Sequence, residues 1–522
     1  MTTLEASRLE LQIRLDSFRT GKERNLLGQF ATPTSLALEI LREARALLGE
    51  SKPVHFLDPA IGTGSFYSAL LETFPHDQIL SARGFEIDNY YGLPAQEFWS
   101  GHDLELDIAD FTSAEPPIGN RPNLIICNPP YVRHHHLNIE QKRRLADASV
   151  ASAGTPISGL AGLYCYFIMI AHKWMAEGGI ACWLIPSEFM DVNYGEAIRR
   201  YLTDRVSLLR IHRFDPSEVQ FSDALVSSVI VWIRKERPKR DSTVRMSFGG
   251  TLSAPALARE VSVQELAGSS KWSGLVHGPA SDVTSTYRLG DFFDIKRGLA
   301  TGSNNFFVIS EEKARELGSP TEFLQPVLPS PRNLDSDVVF ADSEGDPITP
   351  HRRYLIRCGI SEAELRTTNP LLANYLETGR PSVSEAYICR HRKPWFSQEN
   401  RAAAPIVCTY MGRNIESRER PFRFILNYSR ATALNVYLML YPKRILEDAI
   451  RESPELLVAV WEKLQATEPQ ILLGEGRVYG GGLYKLEPRE LANVPADDIF
   501  ALLSRRTNSD SQIEMFRSER VA

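Results

Sequence analysis

The sequence predicts a doubly wound, Rossmann-like α/β domain followed by a mixed α+β domain. Short apolar runs alternate with helical stretches through the first half of the chain. A glycine-rich turn closes the first of those runs, and the alternation fades near residue 240. Mostly apolar strands separated by helices are the pattern of a parallel sheet covered on both faces. At 522 residues the chain is too long for one ordinary domain and suits two or three.

Residues 1–27 are amphipathic and charged and read as a helical extension without the apolar core of a signal peptide. Thr32-Pro33 is an N-cap residue followed by proline at the first helical position, a helix start. Strands are expected at Val54–Asp58, Ala82–Asp88, Leu104–Ile108, Leu124–Cys127, Ile180–Pro186, Leu208–His212 and Val226–Ile233. The last two lie close together, which suits an antiparallel partner at the end of the sheet. Gly159–Met175 is the most apolar helical stretch, but it is shorter than the roughly 20 residues of a membrane span. It is expected to be a buried helix. Residues 28–240 then form the first domain, the charged and Ser/Gly/Pro-containing stretch 241–285 a linker, and 286–522 the second domain.

The formal net charge of −6 supplies no global positive field, although a local basic surface on an acidic chain suffices to bind nucleic acid. The six cysteines have no paired short spacing, so neither a zinc knuckle nor a disulfide framework is expected. His134-His-His136 is expected to be an exposed loop rather than a metal cluster, because consecutive side chains point in different directions.

The turn Asp58-Pro-Ala-Ile-Gly-Thr-Gly-Ser-Phe66 ends a strand and opens a helix. Gly62 and Gly64 allow a tight turn and close approach of a ligand, with Asp58 and Ala60 in the same turn. Neither a G-x-G-x-x-G spacing nor a phosphate-loop Lys-Ser/Thr is present, so pyrophosphate binding is not expected. Glu86 follows Asp58 by 28 residues at the end of the second strand, where an acid accepts hydrogen bonds from ribose hydroxyls. Asp110-Phe111 follows the third strand, an acid for an adenine amine beside an aromatic for its ring. An adenosine-containing ligand is therefore expected.

Asn128-Pro-Pro-Tyr131 directly follows the fourth strand. With the glycine-rich turn before it, this tetrapeptide resembles the signature of amino-methyltransferases that act on planar amines and amides. The resemblance implies S-adenosyl-L-methionine as cofactor and no metal. It implies that the Asn128 side-chain oxygen and the Pro129 carbonyl accept from the target amine, with Pro130 stiffening the turn and Tyr131 stacking on the base. Gly28-Gln-Phe-Ala-Thr-Pro33, with Thr32, resembles the segment that closes over the methionine end of the cofactor in gamma-class, TaqI-like adenine-N6 DNA methyltransferases of restriction–modification systems. Phe221, just before a Val-Ser run, resembles the aromatic that faces a flipped adenine in that family.

Enzymes with this tetrapeptide also include RNA adenine and protein glutamine methyltransferases, and a catalytically inactive DNA-binding scaffold is a further reading. More than 230 residues follow the catalytic domain, beginning with Leu289-Gly-Asp-Phe-Phe-Asp-Ile-Lys-Arg-Gly, which resembles the start of a target-recognition domain. Duplex DNA is therefore the expected partner, read by a cytoplasmic, monomeric prokaryotic enzyme with a separately encoded endonuclease acting on the same site. Candidate DNA contacts are Lys296, Arg297, Arg390, Arg392, Lys393, Arg413, Asn427 and Arg430, where Arg and Asn suit base edges and all suit phosphates.

Overall fold

Strand Leu124–Cys127 shows how the first half folds. Leu124 and Ile126 pack against one helical layer, and Ile125 and Cys127 against the other. Alternate side chains of a strand point to opposite faces, so a wholly apolar strand is stable only with both faces covered. The computed structural model describes residues 2–215, 227–239, 241–277, 285–318, 321–413, 420–479 and 483–506.

The chain begins with α1 (Thr3–Ser17), α2 (Gly21–Leu27) and α3 (Thr34–Leu48). The alternation follows as β1 (Val54–Asp58), α4 (Ser65–Thr73), β2 (Ile79–Glu86), α5 (Asn89–Phe98), β3 (Glu105–Ile108) and β4 (Leu124–Cys127). Then come α6 (Ile139–Ala153), α7 (Leu163–Ala171), β5 (Ile180–Pro186), α8 (Glu196–Asp204), β6 (Ser207–Arg213) and β7 (Ser228–Arg234). The strands lie in one nine-stranded sheet with the order β3-β2-β1-β4-β5-β7-β6, followed by β8 (Thr243–Gly250) and β9 (Pro255–Ser262). The first five are parallel, and β7 runs antiparallel to both β5 and β6. This is the expected α/β sheet with an antiparallel strand near its end.

The strand order reverses between β1 and β4, and the loops at their carboxyl ends are the glycine-rich turn and Asn128–Tyr131. Ligands of open α/β sheets bind at such a switch point. One helical layer is α3 and α4, which pack Ile40, Leu41, Phe66 and Leu70 on Phe56, Leu184 and Trp232 of the sheet. The other layer centres on α7, buried at every residue from Tyr164 to Ala171. Among the described residues no helix is long and apolar enough to cross a membrane. All six cysteines are buried free thiols.

The described residues 241–277 of the expected linker at 241–285 are not a linker. They fall in the same compact unit as the first half of the chain, and β8 and β9 extend its sheet as an antiparallel pair. Val244 and Met246 are buried while Arg245 is exposed, the alternation of a strand with one wet face. The charged run at 235–241 is the turn into that hairpin and not the end of the domain. The expected amphipathicity of the N-terminus is also broken, because α1 turns Glu5, Arg8 and Gln12 inward together with Leu11 and Leu15.

The second unit is mixed, as expected. Its main sheet has five short strands in the order 293–297, 437–442, 406–409, 424–427 and 338–339. Helices Glu455–Ala466 and Asp497–Arg506 contribute Leu456, Val460, Ile499 and Leu503 to the core on that sheet.

Candidate active site

The tetrapeptide Asn128–Tyr131 is clasped from the N-terminal side. Gly28 has φ +66°, and a Cβ there would stand 2.3 Å from the backbone nitrogen of Tyr131, so only glycine admits this approach. The Tyr131 N–H donates to the Gly28 carbonyl at 3.2 Å. The Phe30 ring lies 5.5 Å from the Tyr131 ring, tilted by 45°. The Tyr131 hydroxyl donates to the Leu184 carbonyl of β5 at 3.0 Å, which fixes the ring against the sheet.

Asn128 is held by its amide nitrogen. Nδ2 donates to the Phe30 carbonyl at 2.9 Å and to Thr32 Oγ1 at 3.2 Å. A backbone carbonyl accepts only, so the nitrogen of the amide must face Phe30 and the oxygen must face away. That Oδ1 is shielded from water and, among the described residues, accepts no hydrogen bond. A buried acceptor left open costs about 1–3 kcal/mol, which an incoming N–H donor offsets. Thr32, expected at the cofactor, is buried and instead helps hold Asn128.

A cavity of about 530 Å³ lies beside Asn128 and Pro130. Its walls include Ala60, Gly62, Glu86, Asp110 and Phe111, so five of the expected cofactor residues converge on it. Glu86 accepts from the Gly62 N–H at 3.1 Å and from the Asp88 N–H at 2.8 Å. Burial pushes its carboxyl above the usual range, against the pull of those N–H groups. Asp110 accepts from Thr112 N–H and Oγ1 at 2.9 and 2.6 Å, and pairs with Arg144 at 3.0 Å. Phe111 lines the cavity but is only 2% exposed and packs on Phe85, Phe167 and Trp174.

Asp58 and Gly64 lie behind this wall. Asp58 is buried and accepts from the Ala60 N–H at 3.1 Å, shaping the turn from beneath. Burial raises its carboxyl to about 8, with the Glu86 charge adding to the rise. Gly64 has φ +92°, and a Cβ there would stand 2.5 Å from Trp99 Nε1. Trp99 is buried and donates to the Thr63 carbonyl at 3.0 Å, so Gly64 serves helix packing rather than ligand approach. Pro129 is buried between Asn128 and Pro130. Phe221 lies outside the described residues.

Sequence reasoning missed several residues that line the cavity, among them Gln12, Asp16 and Arg19 from α1 and the turn after it, and Arg144 from α6. No local motif marks them, since they reach the site only through helix packing.

The basic candidates of the second unit separate by burial. Lys296, Arg297, Arg390 and Lys393 are exposed, Arg297 lying 4.3 Å over the Tyr410 ring. Arg430 is half-exposed and pairs with buried Asp346 at 2.6 Å. Arg392 donates to the carbonyls of Ala300 and Thr301 and to Gln398, all at 2.8–2.9 Å, and so pins a loop. Asn427 is buried at 4% exposure, and its amide bonds Ala404, Ser429 and Ala431. Both spend their donors inside the fold, which removes them from the expected base-reading set. The Arg413 side chain lies outside the described residues. His134–His136 forms a short 3₁₀ turn, and no group of metal-binding side chains occurs among the described residues.

Two family models match the chain. That of the Eco57I restriction-modification methylase matches residues 112–221, and that of the C-terminal domain of the Type II methyltransferase M.Eco57I matches residues 279–522. The chain resembles the methyltransferases of Type II restriction–modification systems. Type II methyltransferase M.XamI of Xanthomonas campestris pv. amaranthicola is 28% identical across 86% of this chain and 81% of its own. Type II methyltransferase M.AccI of Acinetobacter calcoaceticus is 24% identical across 95% of this chain and 89% of its own. Among solved structures, the Type IIL restriction-modification enzyme MmeI in complex with DNA shares the fold, with TM-score 0.56 and 13% identity over 95% of this chain and 73% of that one. For a methyltransferase of this kind the cofactor is S-adenosyl-L-methionine, and the cavity fits it in size and in its carboxylates at the ends of β2 and β3.

Proposed function

We propose that this protein transfers a methyl group to the exocyclic N6 amine of adenine in duplex DNA, at a specific site. The observation that carries the reading is the Asn128 side chain, whose Oδ1 is buried and open while its Nδ2 is anchored twice. An amine conjugated with a purine is a weak nucleophile because its lone pair is delocalised into the ring. Acceptors that bind its two hydrogens favour a pyramidal nitrogen with a directed lone pair. Asn128 Oδ1 supplies one acceptor and the Pro129 carbonyl the second.

The cofactor supplies an electrophilic methyl group on sulfur. Glu86 would accept from its ribose hydroxyls, Asp110 from its adenine amine, and the backbone at Ala60 and Gly62 would face its methionine end. Held there, the cofactor would give its methyl group to the amine nitrogen and leave as a neutral thioether, and the nitrogen would lose one proton to solvent. Rate then comes from positioning and fixed dipoles rather than from a general base. Tyr131 and Phe221 would flank the extruded base, which offsets its lost stacking. Residues 286–522 would read the DNA sequence, with exposed Lys296, Arg297, Arg390 and Lys393 on phosphates.

In this reading the enzyme is monomeric and cytoplasmic, and it protects DNA against a separately encoded endonuclease. The test is single-molecule sequencing of genomic DNA from a methylation-free bacterial host that expresses the protein, beside an Asn128→Ala control. Methylated adenine in one recurring motif, absent from the control, is expected. Soluble, cofactor-binding protein that leaves every adenine unmodified would exclude DNA and point to RNA or a protein glutamine.

A further inference from the structure

We infer that helix α1, which precedes every methyltransferase motif in the chain, is a working wall of the cofactor site, with Arg8 and Gln12 positioning the glycine-rich turn through Thr63. The inference rests on the S-adenosyl-L-methionine reading of the cavity.

The residues concerned are unusual for a helix packed on a domain surface. Glu5 and Arg8 are 2% and 1% exposed, and their ion pair is bidentate at 2.7 Å for both bonds. Arg8 has a third bond to make, and Nη1 donates to Thr63 Oγ1 at 2.9 Å. The same hydroxyl donates to Gln12 Oε1 at 2.5 Å. Thr63 stands between Gly62 and Gly64, so two side chains of α1 converge on one hydroxyl at the centre of the ligand-facing turn. Glu5 also accepts from Thr34 Oγ1 at 2.5 Å, which ties the start of α3 to the same cluster.

A second bridge reaches the other side of the cavity. Arg19, just beyond α1, pairs with Asp88 at 2.8 Å and lies 4.3 Å over the Tyr90 ring. Gln29 Nε2 donates to the same Asp88 carboxylate at 2.9 Å. Asp88 caps α5, and its own N–H donates to Glu86. Gln12, Asp16 and Arg19 line the cavity themselves, so the cluster is continuous with the ligand space.

Apolar packing alone would hold α1 in place more cheaply. A buried ion pair is a weak source of net stability, because desolvation offsets most of its Coulombic gain. What it adds is direction. Apolar side chains tolerate sliding, whereas the fork of Arg8 and the amide of Gln12 fix the turn at one rotation. A turn that meets a ligand through backbone atoms gains affinity from such pre-organisation.

The test is Thr63→Val in the full chain, which deletes the shared hydroxyl at nearly constant volume. Binding of S-adenosyl-L-methionine by calorimetry is read beside the melting temperature and single-turnover methylation at saturating cofactor. A dissociation constant raised about tenfold is expected, with the saturated rate held within about twofold. Arg19→Gln should weaken binding in the same way through Asp88, and it serves alone should Thr63→Val not fold. Binding within twofold of the parent in both variants, with only the melting temperature lowered, overturns the inference and leaves α1 a structural brace. Parent protein that binds no S-adenosyl-L-methionine would instead overturn the reading of the cavity itself.

Discussion

Replacing Asn128 by alanine separates what the residue does for the fold from what it does for the reaction. In the fold it makes two hydrogen bonds through Nδ2, to the Phe30 carbonyl and to Thr32 Oγ1. At about 1 kcal/mol each, their loss costs on the order of 2 kcal/mol, and removal of the buried, open Oδ1 offsets that by about 1–3 kcal/mol. In a unit of this size the melting temperature should therefore stay within about 4 °C of the parent. In the proposed reaction, Oδ1 would meet the target amine as its nitrogen becomes pyramidal. Removing one such pre-organised partner of the transition state costs about 3–4 kcal/mol, or about 10²- to 10³-fold in rate. The cofactor cavity keeps its Glu86 and Asp110 walls, so the dissociation constant for S-adenosyl-L-methionine should change less than about threefold. Single-turnover methylation of duplex DNA, with calorimetric binding and a melting curve on the same preparations, measures all three. A rate within threefold of the parent would refute the assignment of Oδ1 as the amine acceptor.

Other perturbations test neighbouring parts. Gly28→Ala places a Cβ 2.3 Å from the Tyr131 nitrogen at φ +66°, so the 28–33 segment must withdraw; methylation should fall at least about tenfold. An unchanged rate would show that this clasp is dispensable. Asp58 is protonated to about pH 8 in the folded state but ionises near 3.8 unfolded, so the folded protein holds the extra proton between those values. Its stabilising contribution is complete below 3.8 and declines by about 1.4 kcal/mol per pH unit until about 8. Asp58→Asn should therefore flatten the fall of urea stability from pH 5 to pH 8, and an unaltered slope would contradict the raised carboxyl. In the second unit, Lys393→Ala should reduce the salt dependence of DNA binding by about 0.9 if it meets one phosphate. Arg392→Ala should lower the melting temperature instead, since it frees the carbonyls of Ala300 and Thr301.

Much of the catalytic half is legible because its signals are local. The four residues of β4 are apolar and end at Asn128, so a sheet buried on both faces and a reactive loop at its edge follow from consecutive letters. Glycines at Gly62 and Gly64 announce a tight turn for the same reason. Yet they serve different ends, since Gly62 faces the cavity and Gly64 yields to Trp99, 35 residues further on. The hairpin of β8 and β9 was hidden by the charged turn before it and by a pattern that leaves one face wet.

Sequence by itself determined the first seven strands of the sheet, the order of its ligand-bearing loops and the chemistry expected of Asn128, because strand burial, turn geometry and amide polarity are properties of neighbouring residues. Tertiary structure alone decided that Thr32 holds Asn128, that Arg392 and Asn427 pin loops, and that α1 reaches Thr63. Most of those roles depend on which donor meets which acceptor across long stretches of chain, 51 residues between Thr63 and Gln12 and 96 between Asn128 and Thr32. A side chain's type states what it is able to bond; only packing states what stands within 3 Å of it.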